Sequence, residues 1–185
     1  SHGQPGHPEF YKSIIMKGYT QIYTGNGKGK TTAAMGLAIR AAGAGMKVFI
    51  SQFVKGMHYH ELDSLANFSD IQVKQYGLDC FIVNDPTEED IEAAREGFTE
   101  VLSIVNEGEH QLVILDEINI AIHYGMIKVE EVLKLMADKP THVELVLTGR
   151  YAHEDLIKAA DLVSDMQEIK HYYQKGIEAR KGIEF

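Results

Sequence analysis

Nine consecutive residues, Thr24, Gly25, Asn26, Gly27, Lys28, Gly29, Lys30, Thr31 and Thr32, bring small side chains, two ammonium groups and hydroxyls into one short run. Phosphate oxygens are held by backbone N–H groups that converge only where side chains are small, by a Lys that neutralises them, and by a hydroxyl that shares a Mg²⁺ ion. Gly29, Lys30 and Thr31 supply all three. The usual spacing places a Gly five residues before Gly29, where this chain has Thr24, so Gly25 and Gly27 are left to make the loop. A second run, Leu112-Val113-Ile114-Leu115-Asp116-Glu117, is apolar until it ends in two carboxylates able to reach the same Mg²⁺ directly or through water. ATP with Mg²⁺ is the ligand these two runs predict.

Such a loop works only between a strand and a helix. Residues 18–24 (GYTQIYT) read as a strand and 31–42 as an Ala-rich helix stopped by Gly43 and Gly45. Residues 47–53 (KVFISQF) and 71–76 (IQVKQY) read as two more strands. Asp85-Pro86-Thr87 announces a helix with Thr87 as its cap and Asp90 three residues on. Ile91, Ala94, Phe98, Leu102 and Val105 keep helical spacing behind them. Residues 111–115 (QLVIL) suit a central buried strand whose acidic end emerges at the edge where open α/β sheets bind ligands. A short helix over 129–136 closed by Pro140, a strand over 143–148 followed by Gly149-Arg150, a helix over 153–160 and a last strand over 162–169 complete the set. Residues 170–185 show no clear period. Strands alternating with helices predict an α/β fold, a mostly parallel sheet with helices on both faces.

The chain has 185 residues, 44% of them apolar and 24% charged, which predicts one folded domain and no membrane span. Residues 1–16 read as a flexible leader, with no basic-then-apolar signal pattern, ahead of a single domain over 17–185. Eighteen Lys and Arg against 27 Asp and Glu leave a formal charge of −9, which argues against a general grip on nucleic acid or anionic lipid. Any polyanion must be held locally. The single cysteine, Cys80, excludes an intrachain disulfide and suits a reducing cytoplasm.

From about Thr20 onward the chain resembles the cob(I)alamin adenosyltransferase family of the CobA/BtuR/CobO type. The matching stretches are TGNGKGKTTAAMGLAIRAAGAG at 24–45, QFVKG at 52–56, LDE at 115–117, LTGR at 147–150, ADLVSDM at 160–166 and KHYYQKGIEARKGIEF at 170–185. The last is the most telling, since generic ATPases have no reason to share it. The resemblance implies a P-loop NTPase fold of the RecA-like kind. It also implies transfer of the 5′-deoxyadenosyl group of ATP to Co(I) of cobalamin or another corrinoid, with release of triphosphate. Lys30 and Lys28 are then expected to stabilise the leaving triphosphate, Thr31 and Glu117 to hold Mg²⁺, and Asp116 to stand behind them. Gln52, Lys55 and Arg150 stand at strand ends, where nucleotide or corrinoid contacts are expected. Some family members carry a Phe-x-Trp pair that helps displace the lower cobalt ligand. This chain has no Trp and reads Gly77-Leu78-Asp79-Cys80-Phe81, so Leu78 and Phe81 become the candidates for that wedge. A homodimer, and a reducing protein such as a flavodoxin-like electron donor, are implied partners.

Two other classes compete. A small-molecule kinase shares the loop but needs an Arg-bearing lid, for which Gly149-Arg150 is the candidate. The other is a RecA-like motor or regulatory ATP switch acting on nucleic acid or protein, and the acidic charge weighs against nucleic acid. His58, His60 and Glu61 have a metal-like spacing that reads more simply as a solvated loop, and Cys80 reads as a small buried hydrophobe.

Overall fold

The computed structural model describes residues 16–53, 59–77 and 85–185. The expected leader apart from Met16, the candidates Lys55, Leu78 and Phe81, and His58 and Cys80 lie outside the described residues.

Strand-forming runs dominated by β-branched and Leu residues give β1 (Thr20–Thr24), β2 (Val48–Gln52), β3 (Ile71–Gln75), β4 (Leu112–Asp116), β5 (Glu144–Thr148) and β6 (Leu162–Asp165). They form one sheet in the order β3-β2-β4-β5-β1-β6, with every described pairing parallel. Side chains alternate across it. Leu112 and Ile114 of β4, with Val48 and Ile50 of β2, pack on Ala34, Met35, Ala38 and Ala41 of α1 (Lys30–Gly43). Val113, Leu115 and Phe49 turn the other way, onto α3 (Glu88–Glu107) and α5 (Val129–Asp138). Burial on both faces explains why β2 and β4 are buried along their whole length.

The remaining helices are α2 (Glu61–Leu65), α4 (Ile118–His123) and α6 (Glu154–Ala159), and a 3₁₀ turn covers Tyr172–Lys175. The expected cap of α3 is present: Asp90 N donates to Thr87 Oγ1 at 3.1 Å and Thr87 N to Asp90 Oδ2 at 2.9 Å. The strand expected over 162–169 ends at Asp165. Beyond it the backbone leaves the ladder to bond the phosphate loop, Gly27 N to Met166 O at 2.6 Å and Glu168 N to Asn26 Oδ1 at 3.1 Å. Helices α2 and α4 were not expected, being too short for an apolar period to repeat. Among the described residues no helix is long and apolar enough to cross a membrane.

Parallel strands align their C-terminal ends, and Gln52 stands opposite Asp116 in the ladder. The end of β3 is set by Tyr76, whose ring packs on Phe53 at 5.6 Å and whose hydroxyl donates to Glu100 Oε2 at 3.0 Å. Gly97 of α3 makes room for it, since a Cβ there would lie 2.2 Å from Tyr76 Cγ. Gly97→Ala gains about 1 kcal/mol of helix propensity but strikes a ring held on two sides, a clash worth about 1–3 kcal/mol. The clash is expected to win, lowering stability in denaturant unfolding; an unchanged midpoint would contradict this packing.

Candidate functional site

The loop after β1 turns tightly enough to exclude side chains. Gly25 has φ of 102°, and a Cβ on it would lie 2.3 Å from Met166 O. Gly29, at φ of 118°, opens α1 without a side-chain cap, so the first N–H groups of this helix have no side-chain acceptor. Thr24, standing where a Gly is usual, does structural work: its hydroxyl donates to Gly149 O at 2.8 Å, joining the ends of β1 and β5. Lys30 folds back over the loop, Nζ donating to Gly27 O at 2.7 Å. Burial, then Arg150, push its ammonium below the usual range, against a smaller pull from Glu117. Thr32 is exposed.

Asp116 is the buried hub of the site. Its Oδ1 accepts from Thr31 Oγ1 at 2.9 Å and Thr148 Oγ1 at 2.7 Å, and its Oδ2 from Gln52 Nε2 at 3.2 Å. Gln75 Nε2 donates in turn to Gln52 Oε1 at 2.9 Å. Burial pushes the Asp116 carboxyl upward while the three donors pull it down. Because the Thr31 O–H donates to Asp116, the lone pairs of that hydroxyl oxygen are left for a cation. The structure thus joins Thr31 to Asp116 directly, whereas Glu117 meets the loop through charge.

Glu117 opens α4 with φ of 62° and ψ of 17°, a left-handed geometry costing a non-Gly residue about 1–3 kcal/mol. Its N–H is satisfied by Thr148 Oγ1 at 3.0 Å. Burial, then Asp116, raise its carboxyl to about 7, against the opposite pull of Lys30 and Arg150. Arg150 is exposed and Tyr151, at φ of 61°, stacks on His123 with ring centroids 4.2 Å apart. Arg150 and Tyr151 join Thr24, Gly25 and Asn26 of the loop in lining a cavity of about 500 Å³.

Among the expected residues, the loop from Thr24 to Thr32, Gln52, Glu117 and Arg150 therefore come together. Lys28 differs from Lys30: its ammonium is bound by Ile183 O at 3.2 Å and lies 3.6 Å from Glu184 Oε1. Gln75, Thr148 and Tyr151 were not singled out beforehand. The signal for Thr148 was present, a hydroxyl ending an apolar strand beside Gly149. Among the described residues no three His, Cys, Asp or Glu side chains form a metal-holding group. The Thr31 hydroxyl and the strand-end carboxylates are hard oxygen donors of the kind that Mg²⁺ takes, and they could hold such an ion together with phosphate oxygens.

The raised Glu117 carboxyl fixes the sign of a pH effect. Between about 4.5 and 7 the unfolded chain releases this proton while the folded chain keeps it, so stability falls as pH rises. Without nucleotide or divalent cation, stability is expected to drop between pH 5 and pH 8, with roughly 3 kcal/mol as the upper scale for this group. Glu117→Gln should flatten that slope in thermal melts; a slope identical to the parent's would contradict the environment described for Glu117.

A family model described as ATP:corrinoid adenosyltransferase BtuR/CobO/CobP matches residues 16–185. A corrinoid adenosyltransferase of Sinorhizobium sp is 38% identical over 173 residues, covering 91% of this chain and 81% of that protein. One of Escherichia coli (strain K12) is 32% identical over 169 residues, covering 91% and 86%. Among solved structures, the flagellar accessory protein FlaH of Methanocaldococcus jannaschii is similar with a TM-score of 0.53 at 13% identity, over 80% of this chain and 71% of that one. That likeness concerns the fold alone. It agrees with the expected α/β fold, a parallel sheet with the Gly- and Lys-rich loop between its first strand and first helix.

Proposed function

The chain belongs to the ATP:corrinoid adenosyltransferase family, and on that premise we propose that it moves the 5′-deoxyadenosyl group of ATP onto Co(I) of a corrinoid within one domain, residues 17–185. The cobalt electron pair forms the bond to C5′ of the ribose, and the C5′–O bond breaks with its electrons leaving on triphosphate. The metal centre of the substrate is itself the nucleophile, so the protein needs neither an activated Ser or Cys nor a general base. Its task is to bind triphosphate, turn C5′ toward the corrinoid and stabilise charge on the departing oxygens.

The observation that carries this reading is the 2.9 Å hydrogen bond from Thr31 at the start of α1 to Asp116 at the end of β4, which ties the phosphate loop to the acidic strand end. In this reading Lys30, Lys28 and the loop N–H groups hold the triphosphate. Thr31 and Glu117 would hold Mg²⁺, with Asp116 orienting the Thr31 hydroxyl from behind. When bound, Mg²⁺ neutralises phosphate charge. Gln52, Lys55 and Arg150 contact nucleotide or corrinoid, and Leu78 with Phe81 supplies the apolar wedge beneath cobalt. We further propose a cytoplasmic homodimer served by a flavodoxin-like electron donor. An edge strand that leaves Leu162 and Val163 exposed supports association of two copies. The kinase reading is not better supported, since the relatives of Sinorhizobium sp and Escherichia coli are corrinoid adenosyltransferases.

Lys30→Ala and Thr31→Ala are each expected to lower adenosyl transfer by about 100-fold or more while the circular dichroism spectrum stays that of the parent. Near-parental turnover in either folded variant would remove the loop from the reaction. Glu117→Gln is expected to weaken the Mg²⁺ dependence of turnover more than Asp116→Asn; the reverse order would exchange their roles.

A further inference from the structure

The stretch over 170–185 is the part of the family match that the adenosyl transfer scheme leaves without a task. Its structure brings it back to the phosphate loop. Tyr172 donates a short hydrogen bond to Glu184, and Arg180 grips the same carboxylate through its backbone N at 2.7 Å and Nη2 at 3.2 Å. The Arg180 guanidinium also lies 5.1 Å from the Tyr172 ring centroid. Gly182 N donates to Phe185 O at 2.7 Å, and the Phe185 ring reaches His60, 6.0 Å away between centroids. The Glu184 side chain is 15% exposed and lies 3.6 Å from the ammonium of Lys28, whose own side chain is 45% exposed.

This arrangement is asymmetric. Glu184 is held by Arg180 and Tyr172 whether or not Lys28 is present, and these two partners keep its carboxyl down at about 2, so it stays ionised throughout the working range. Among the described residues Lys28 has the Glu184 carboxylate at 3.6 Å and the Ile183 carbonyl at 3.2 Å. A pair this exposed is weak, so several phosphate charges arriving at the loop can take the ammonium away. Lys28 is therefore the movable partner and Glu184 the fixed one.

Resting on the reading of Lys28 as a triphosphate contact, we propose that the 172–185 segment is a built-in counter-ion site in which Glu184 competes with triphosphate for Lys28. Glu184 thereby loosens the hold on ATP and on the inorganic triphosphate product alike, and receives Lys28 when the product leaves. Glu184 acts through Lys28 and is a positioning residue.

The test is calorimetric titration of the full chain with MgATP and, separately, with inorganic triphosphate. E184Q is expected to bind both about two- to fivefold more tightly than the parent, the scale set by an exposed ion pair. E184D, which keeps the carboxylate, is expected to stay near the parent, and adding E184Q to K28M should give no gain. Unchanged or weaker binding by E184Q, an equal gain in E184D, or the same gain in the K28M background would each overturn the proposal. A parent that binds triphosphate, loses it in Lys30→Ala and yet shows no E184Q effect defeats this inference alone. Triphosphate binding insensitive to Lys30→Ala defeats the functional reading beneath it.

Discussion

A carboxylate buried at the end of a central strand must be hydrogen-bonded or neutralised, and Asp116 meets that requirement with three donors from three separate elements. Thr31 comes from the start of α1, Thr148 from the end of β5 and Gln52 from the end of β2. Their spacing is therefore set by one group. Removing any donor leaves a buried oxygen short of a partner, at about 1–3 kcal/mol. The same hub reaches outward through the Thr148 hydroxyl, which takes the Glu117 N–H and so supports its left-handed backbone. The phosphate loop is thus braced from inside by Asp116 and from outside by the 165–168 backbone.

Charge is organised locally in a chain whose balance is acidic. The loop contributes Lys28 and Lys30, and Arg150 enters from the end of β5, close enough to depress the Lys30 ammonium. These positive charges stand beside a carboxyl, Glu117, that burial raises to about 7. In the proposed reading a bound polyanion with a divalent cation would meet that charge and that carboxyl together. Each ammonium has a resting partner meanwhile, Gly27 O for Lys30 and the 183–184 edge for Lys28.

What the residues announced in advance were features written in local order. The Gly-Lys-Thr run between a strand and a helix, the apolar run ending in Asp116-Glu117 and the Thr87–Asp90 cap are all local in sequence, and all are present. The pairings that complete the site are long-range. Gln75 reaches Gln52 across 23 positions and Thr148 reaches Asp116 across 32, so no spacing rule exposes them. The overlong expectation for β6 failed for a related reason. Residues 166–168 look like strand continuation, but their backbone groups are claimed by the glycine loop, which is possible only because Gly25 and Gly27 lack a Cβ. Resemblance to a family singled out 170–185; only the fold shows that this stretch returns to Lys28.

The central claim is that triphosphate leaves whole from carbon rather than giving up one phosphoryl group. It is tested most directly by incubating the full chain with MgATP and a chemically reduced corrinoid, and counting products. The account predicts one inorganic triphosphate released for each light-sensitive Co–C bond formed. Accumulation of ADP with no Co–C product would contradict it.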